Sequence, residues 1–246
     1  MPKSDENTRL PCADCSAQEF NICRALRHAH NVDAAGTGAA PDAIAVQSHH
    51  VAARRLIWRE RDTVPTVPVI CHGWAATVLT LSDSRRQILS FLLPGDLVSA
   101  TLVFDPVCTY SVETITDVRY NGFDRAAVRA ALAKSPALLD TLSQIRNDET
   151  ASADRLSVDL GQRGAAERIA RLILNLAERL AQRGLVRDGT MDFPLRQHHI
   201  ADATGLTVVH TGKVLGEFRR AGLVKINGRA LTLPDPEGLR RAGDMY

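Results

Sequence analysis

Five cysteines are the residues of this 246-residue chain best suited to chemistry, and Cys12, Cys15 and Cys23 are gathered near its start as C-x2-C-x7-C. A thiolate is both a nucleophile and a soft metal ligand. In a chain expected to work in a reducing cytoplasm such a group is not read as a disulfide framework, so the cluster points to metal or redox chemistry. Cys71 stands in the apolar strand pattern VPVICHGW, where an inert, buried thiol is expected, and Cys108 stands in DPVCTYSVET. Eight histidines are present, but C-x-x-C-H does not occur. His28, His30, His49 and His50 read as solvated residues and His72 as a strand-end residue. No nucleophile–base pair or metal-binding helix is evident, so the chain does not read as an enzyme.

These residues need elements to position them. Residues 1–41 are polar, carry the cysteine trio and run into AAGTGAAP, which marks an appendage on a globular body. Across 42–123, short runs rich in Val, Ile, Leu and Thr alternate with turn-formers (VAARRLIW, VPVICHGW, ATVLTLSDS, RRQILSFLLPGD, TYSVETI), the pattern of a small antiparallel β domain. Residues 124–162 turn helical, with Leu138, Leu142, Ile145 and Leu156 among polar residues; a long helix of this kind often forms a dimer seam. Residues 163–246 open on the amphipathic AERIARLILNLAERLAQRG. Its Ile169, Leu172, Ile173, Leu176 and Leu180 keep helical spacing, and Gly184 is its stop.

Within that last part, QHHIADATGLTVVHTGKVLGEFRRAGLV at 197–224 reads as two short helices joined by a tight turn. Ile200 and Ala203 form the apolar face of the first helix, Gly205 suits a left-handed turn, Leu206 plugs it, and Thr207 is the expected N-cap of the second. Val208, Thr211, Leu215 and Phe218 are expected inside, leaving Val209, His210, Lys213 and Arg220 outside, as on a recognition helix in a major groove. Lys225-Ile226 and the run from Arg229 flank Asn227-Gly228, which predicts a type I′ hairpin and hence a wing.

Composition is that of an ordinary globular protein, and the net charge of +2 is too small for indiscriminate coating of nucleic acid. From residue 195 onward eight Lys or Arg face five Asp or Glu, an excess that suits a reader making few phosphate contacts. No apolar run approaches a membrane span, because ARLILNLAERLA is interrupted by charge, and MPKSDENTRL has no apolar signal region. A cytoplasmic location at the bacterial nucleoid, with no membrane partner, is expected.

LLPGDL at 92–97, the preceding RRQIL, the AERIARLILNLAERLAQRG helix and HIADATGLTVVHTGKVLGEFRRAGLV, taken in order and spacing, resemble the Crp/Fnr family of bacterial transcription regulators over nearly the whole chain. The resemblance implies an α+β chain: a cyclic-nucleotide-binding-like β-roll that senses an effector, a long dimerisation helix and a C-terminal winged helix-turn-helix. It also implies a homodimer on a near-palindromic double-stranded DNA site, with RNA polymerase as a further partner.

It further implies that Cys12, Cys15 and Cys23 are similar to the cysteines by which Fnr-like oxygen sensors hold a 4Fe–4S cluster. The strand on which the family carries its fourth cysteine is DVRYNGF here and has none; Cys108 is the favoured substitute, with Cys71 or Asp14 as alternatives. A thiol-redox or zinc site, or a cofactor-free regulator like FixK-like members, stays open. Cyclic nucleotide is not expected, because Cys108-Thr109 stands where the family's phosphate-binding arginine would be and the phosphate loses its charge-matched partner. On the DNA side, Lys213 falls where the family carries a guanine-reading Arg, Val209 where many members carry an acid, and Gly212 where some carry Ser. His210 is expected to meet a base or phosphate, Thr207 to stand at the interface as the cap, and Arg196, Gln197 and His198 to hold phosphates.

Overall fold

The structure is a computed structural model and describes residues Ile22, Ala25, Leu26, Ile44 and 46–244. Among the described residues the β domain has seven strands: β1 (Val46–Val51), β2 (Leu56–Trp58), β3 (Val67–His72), β4 (Ala75–Thr80), β5 (Arg86–Leu92), β6 (Ser111–Thr114) and β7 (Val118–Phe123). They pair into one sheet of order β1-β7-β3 and another of order β2-β6-β4-β5. β-branched and aromatic residues fill these strands because such side chains pack well on a pleated, half-buried surface. One core cluster joins Trp58, Ile70, Leu92, Leu102, Val112 and Tyr120. A second joins Val67, Val69, Leu97 and Val103 to the helices that follow and to Ile22 and Leu26.

Those helices are α1 (Arg125–Lys134) and the 27-residue α2 (Pro136–Gln162). Asp124 caps α1, its Oδ1 accepting from Ala127 N at 2.8 Å. Arg125 at its first position spreads its guanidinium over four carbonyls, donating to Leu102 O at 2.8 Å, Val64 O at 2.6 Å, Thr66 O at 3.2 Å and Pro65 O at 3.4 Å. Pro136 opens α2, where its missing N–H costs nothing. Val128, Leu132, Leu138 and Leu142 face the core. Further along α2, the Glu149 carboxylate accepts from Ala100 N at 2.8 Å and so satisfies the start of the 3-10 turn Ala100–Val103. Burial raises the Glu149 pKa.

The chain divides into two compact units, one of residues up to Thr77 with Phe91–Ala151, the other of Val78–Ser90 with Ser152–Tyr246. In the second unit α3 (Ala165–Gln182) packs against α4 (Gln197–Thr204), α5 (Val208–Arg220) and α6 (Pro236–Ala242). Its buried stripe is Ile169, Ile173, Leu176 and Leu180 with Ala170, Leu174 and Ala177, while Leu172 is only half-buried. Gly184 follows it at φ 65°. A four-stranded sheet of order β10-β11-β9-β8 completes the unit, from β8 (Val186–Arg187), β9 (Thr190–Asp192), β10 (Lys225–Asn227) and β11 (Ala230–Thr232). The distal β4–β5 hairpin also belongs to it: Gln87 Nε2 donates to Ala203 O at 3.1 Å, and Arg86 lies 3.5 Å from the Asp202 carboxylate.

Candidate nucleic-acid interface

Ile200, Ala201, Ala203 and Thr204 form the buried face of α4. The helix ends at Gly205, which is left-handed at φ 65°, ψ 34°, and a Cβ there would come within 2.9 Å of Leu160 Cδ2. Backbone angle and close packing thus both demand glycine. Arg168 closes the same end, donating from Nη1 to Thr204 O at 3.1 Å, a cation at a helix C-terminus. Thr207 caps α5, its Oγ1 accepting from His210 N at 3.2 Å.

The buried stripe of α5 is Thr211, Val214, Leu215 and Phe218, which follows the i, i+3, i+4, i+7 rule. Val208, expected inside, is 46% exposed. It precedes Thr211 by one turn, at the first helical position, and the helix completes its apolar stripe with Val214 instead. Val209 is 84% exposed, and His210, Lys213, Glu217 and Arg220 are also exposed. These residues share the outward surface of the helix.

At the start of α4, Arg196, Gln197 and His198 are exposed. Gln197 lies against α5: its Oε1 is 3.0 Å from the point where a Cβ on Gly212 would stand. Arg196, Gln197 and Arg219 line one hollow together with Ile226 of the wing strand β10. His199, which no motif in the sequence marks, accepts from Arg196 N through Nδ1 at 3.0 Å. Burial first, then His198, Arg196 and Arg86, holds its pKa down to about 4. The imidazole is therefore neutral near pH 7 and free to accept.

The wing differs from expectation in its turn. Asn227 pairs with Ala230, so the turn residues are Gly228-Arg229, and only Gly228 has a positive φ, 60°. That is the signature of type II′ rather than type I′, which needs two left-handed residues. The type I′ pair lies in a hairpin not foreseen from sequence: Asp188 and Gly189, at φ 50° and 69°, join β8 to β9. The Asp-Gly dipeptide was the available signal. Arg229 donates to both carboxylate oxygens of Asp192, at 3.0 and 2.6 Å, which ties the wing turn to β9.

Cys12, Cys15, Asp14 and Cys23 lie outside the described residues. Among the described residues no three His, Cys, Asp or Glu side chains converge as metal ligands. Burial of the other two thiols reverses expectation. Cys71 is half-buried on β3, whereas Cys108 is 1% exposed among Trp58, Ile70 and Tyr120. Backbone bonds from Cys108 N to Asp62 O at 3.0 Å and from Arg61 N to Cys108 O at 2.7 Å hold that segment against its neighbour. The Cys108 Sγ donates to Tyr110 O at 3.0 Å, and burial pushes the thiol pKa up. Asp96, in the turn after β5, accepts from Leu93 N at 2.7 Å and so shapes the turn itself.

Comparison with known proteins agrees with this arrangement. Residues 48–135 match the cyclic nucleotide-binding domain model and 167–242 the Crp-like helix-turn-helix domain model. The nitrogen fixation regulation protein FixK of Bradyrhizobium diazoefficiens is 26% identical over 92% of this chain and 90% of its own length. The anaerobic regulatory protein of Haemophilus influenzae is 26% identical over 94% and 86% respectively. The solved structure of FixK2 from Bradyrhizobium japonicum superposes with a TM-score of 0.73 at 25% identity, covering 80% of this chain and 97% of that one. A cyclic-nucleotide-type β domain joined to a helix-turn-helix reader defines a DNA-binding transcription regulator, not an enzyme. The chain belongs to the Crp/Fnr family.

Proposed function

We propose that the protein works as a homodimer on a near-palindromic promoter site, in contact with RNA polymerase, and that it takes an oxygen or redox signal through a 4Fe–4S cluster on Cys12, Cys15 and Cys23. The observation that carries the DNA reading is the outward surface of α5, where Val209, His210 and Lys213 are left free of the core. Lys213 donates to guanine, and Arg196, Gln197 and His198 set the register on phosphates.

The dimer is supported by α2. Leu139, Ser143, Arg146, Thr150, Ala153 and Ser157, all exposed, recur at alternating spacings of four and three and so lie along one side of that helix. The hydroxyls on that stripe already donate within the helix: Ser143 to Leu139 O at 2.8 Å, Thr150 to Arg146 O at 3.0 Å and Ser157 to Ala153 O at 3.0 Å. A partner can cover them without leaving a donor unsatisfied.

Three closely spaced thiolates fit three corners of an iron–sulfur cluster, which when bound supplies redox chemistry and reactivity with oxygen. Cys108 in its described setting does not fit the fourth corner, since its sulfur is enclosed and its thiolate disfavoured. Protein purified without oxygen is expected to be brown, to contain iron and sulfide, and to bleach in air. A colourless, iron-free preparation that still shifts its promoter fragment overturns the sensor and leaves the reader standing; zinc without sulfide transfers the role to a zinc or thiol switch. A cofactor-independent regulator is the second reading, favoured by the likeness to FixK and by the enclosed Cys108. Residues 48–135 match a cyclic nucleotide-binding domain model, but Cys108, where the family's phosphate-binding arginine would be, offers no charge to a phosphate, so cyclic nucleotide is disfavoured as the signal.

A further inference from the structure

We propose that the tip of α5 reads the C5-methyl group of a pyrimidine, with Val209 as the residue that touches it; this rests on the DNA-binding reading above. Val209 is the most exposed large apolar side chain among the described residues, at 84%. A β-branched residue on a helix surface contributes little to the helix, and this one packs against nothing that would justify it. Val208 beside it is 46% exposed, and one turn further on Gly212 carries no side chain. The patch is therefore apolar and low, with the Gln197 amide at its edge beside Gly212.

Valine has neither donor nor acceptor, so it cannot use the hydrogen-bond code of the groove. The one base-edge feature of the major groove that an apolar group can read is the methyl at C5 of thymine. Lys213 stands four residues on, on the same face, and supplies the adjacent donor. Together they fit a methyl-bearing pyrimidine next to a guanine. The same methyl occurs on 5-methylcytosine, so the helix accepts that base where it accepts thymine and disfavours unmodified cytosine and uracil. Removing one buried methyl lowers affinity about four-fold, and removing one from each half-site about fifteen-fold.

The test uses the full-length protein and a duplex site selected from random DNA. Each thymine is replaced by deoxyuridine in turn, symmetrically in both half-sites, and affinity is measured. One symmetric pair is expected to show the loss of about fifteen-fold, and 5-methylcytosine at that pair is expected to restore binding relative to cytosine. In Val209→Ser, which alters an exposed position and leaves the core intact, the thymine–uracil difference is expected to vanish. If the site is bound and no uracil substitution changes affinity more than about two-fold, the inference is overturned while the regulator reading holds. It is equally overturned if the uracil effect persists unchanged in Val209→Ser. Failure to select any duplex site removes the DNA reading itself and this inference with it.

Discussion

The Oε1 of Gln197, on the first helix of the reader, stands 3.0 Å from the vacant Cβ position of Gly212 on the second. The absence of a side chain at 212 is what lets the two helices share a surface there. Gly212→Ala is expected to leave the fold stable or to raise stability by about 0.5–1 kcal/mol, because alanine suits a helix interior better. It is also expected to move the Gln197 amide and weaken operator binding several-fold. Denaturant melts and affinity measurements on the same variant separate the two effects; equal operator affinity would mean that Gln197 plays no part at the DNA.

His199 gives the reader an acid limit. Its folded pKa of about 4 lies below the ordinary 6.5, so the neutral form is the one compatible with the fold. Above pH 6.5 it is neutral in both states and its contribution is complete. As pH falls below that value the unfolded state takes up the proton first, and stability declines until the folded pKa near 4 is passed. In His199→Gln this part of the stability–pH curve is expected to flatten, read as melting temperature between those limits.

Arg125 holds the start of α1 to the carbonyls of Leu102, Val64 and Thr66. Replacing it with Ala strands these partly buried acceptors and is expected to cost about 2–3 kcal/mol in chemical unfolding. Arg125→Lys is expected to recover only part of this, because an ammonium lacks the planar fork that reaches several carbonyls at once.

The two described thiols are expected to differ in reactivity. Iodoacetamide should modify Cys71 in the native protein at least about ten-fold faster than Cys108, since a buried, protonated thiol is a poor nucleophile. Mass spectrometry of the labelled protein checks this, and unfolding should abolish the difference. Rapid labelling of Cys108 in the native state would show that its segment opens and would return it to candidacy as a cluster ligand.

Much of the fold is legible in residue spacing. The four strands from β3 to β6 follow runs visible in the sequence, α3 follows its apolar stripe, and the α4–turn–α5 motif appears with its Gly205 turn and Thr207 cap as read. Other features resisted because they depend on what lies opposite. Whether Val208 packs inward turns on which other helical residues complete the buried stripe, and Val214 took that role. The wing turn shifted by one residue because the register of Asn227 with Ala230, not the dipeptide Asn-Gly, chose the central pair.

By itself the sequence determined the local terms: hydrophobic period, cap, glycine at a left-handed turn, and the clustering of three thiols near one end. These depend on interactions within a few residues and can be read from spacing. Tertiary structure alone decided which of Cys71 and Cys108 is enclosed, that Gln197 meets Gly212, that Arg229 is held by Asp192, and that His199 is kept neutral. Burial and long-range pairing arise only when distant segments pack, and the desolvation that sets a thiol or imidazole pKa arises with them.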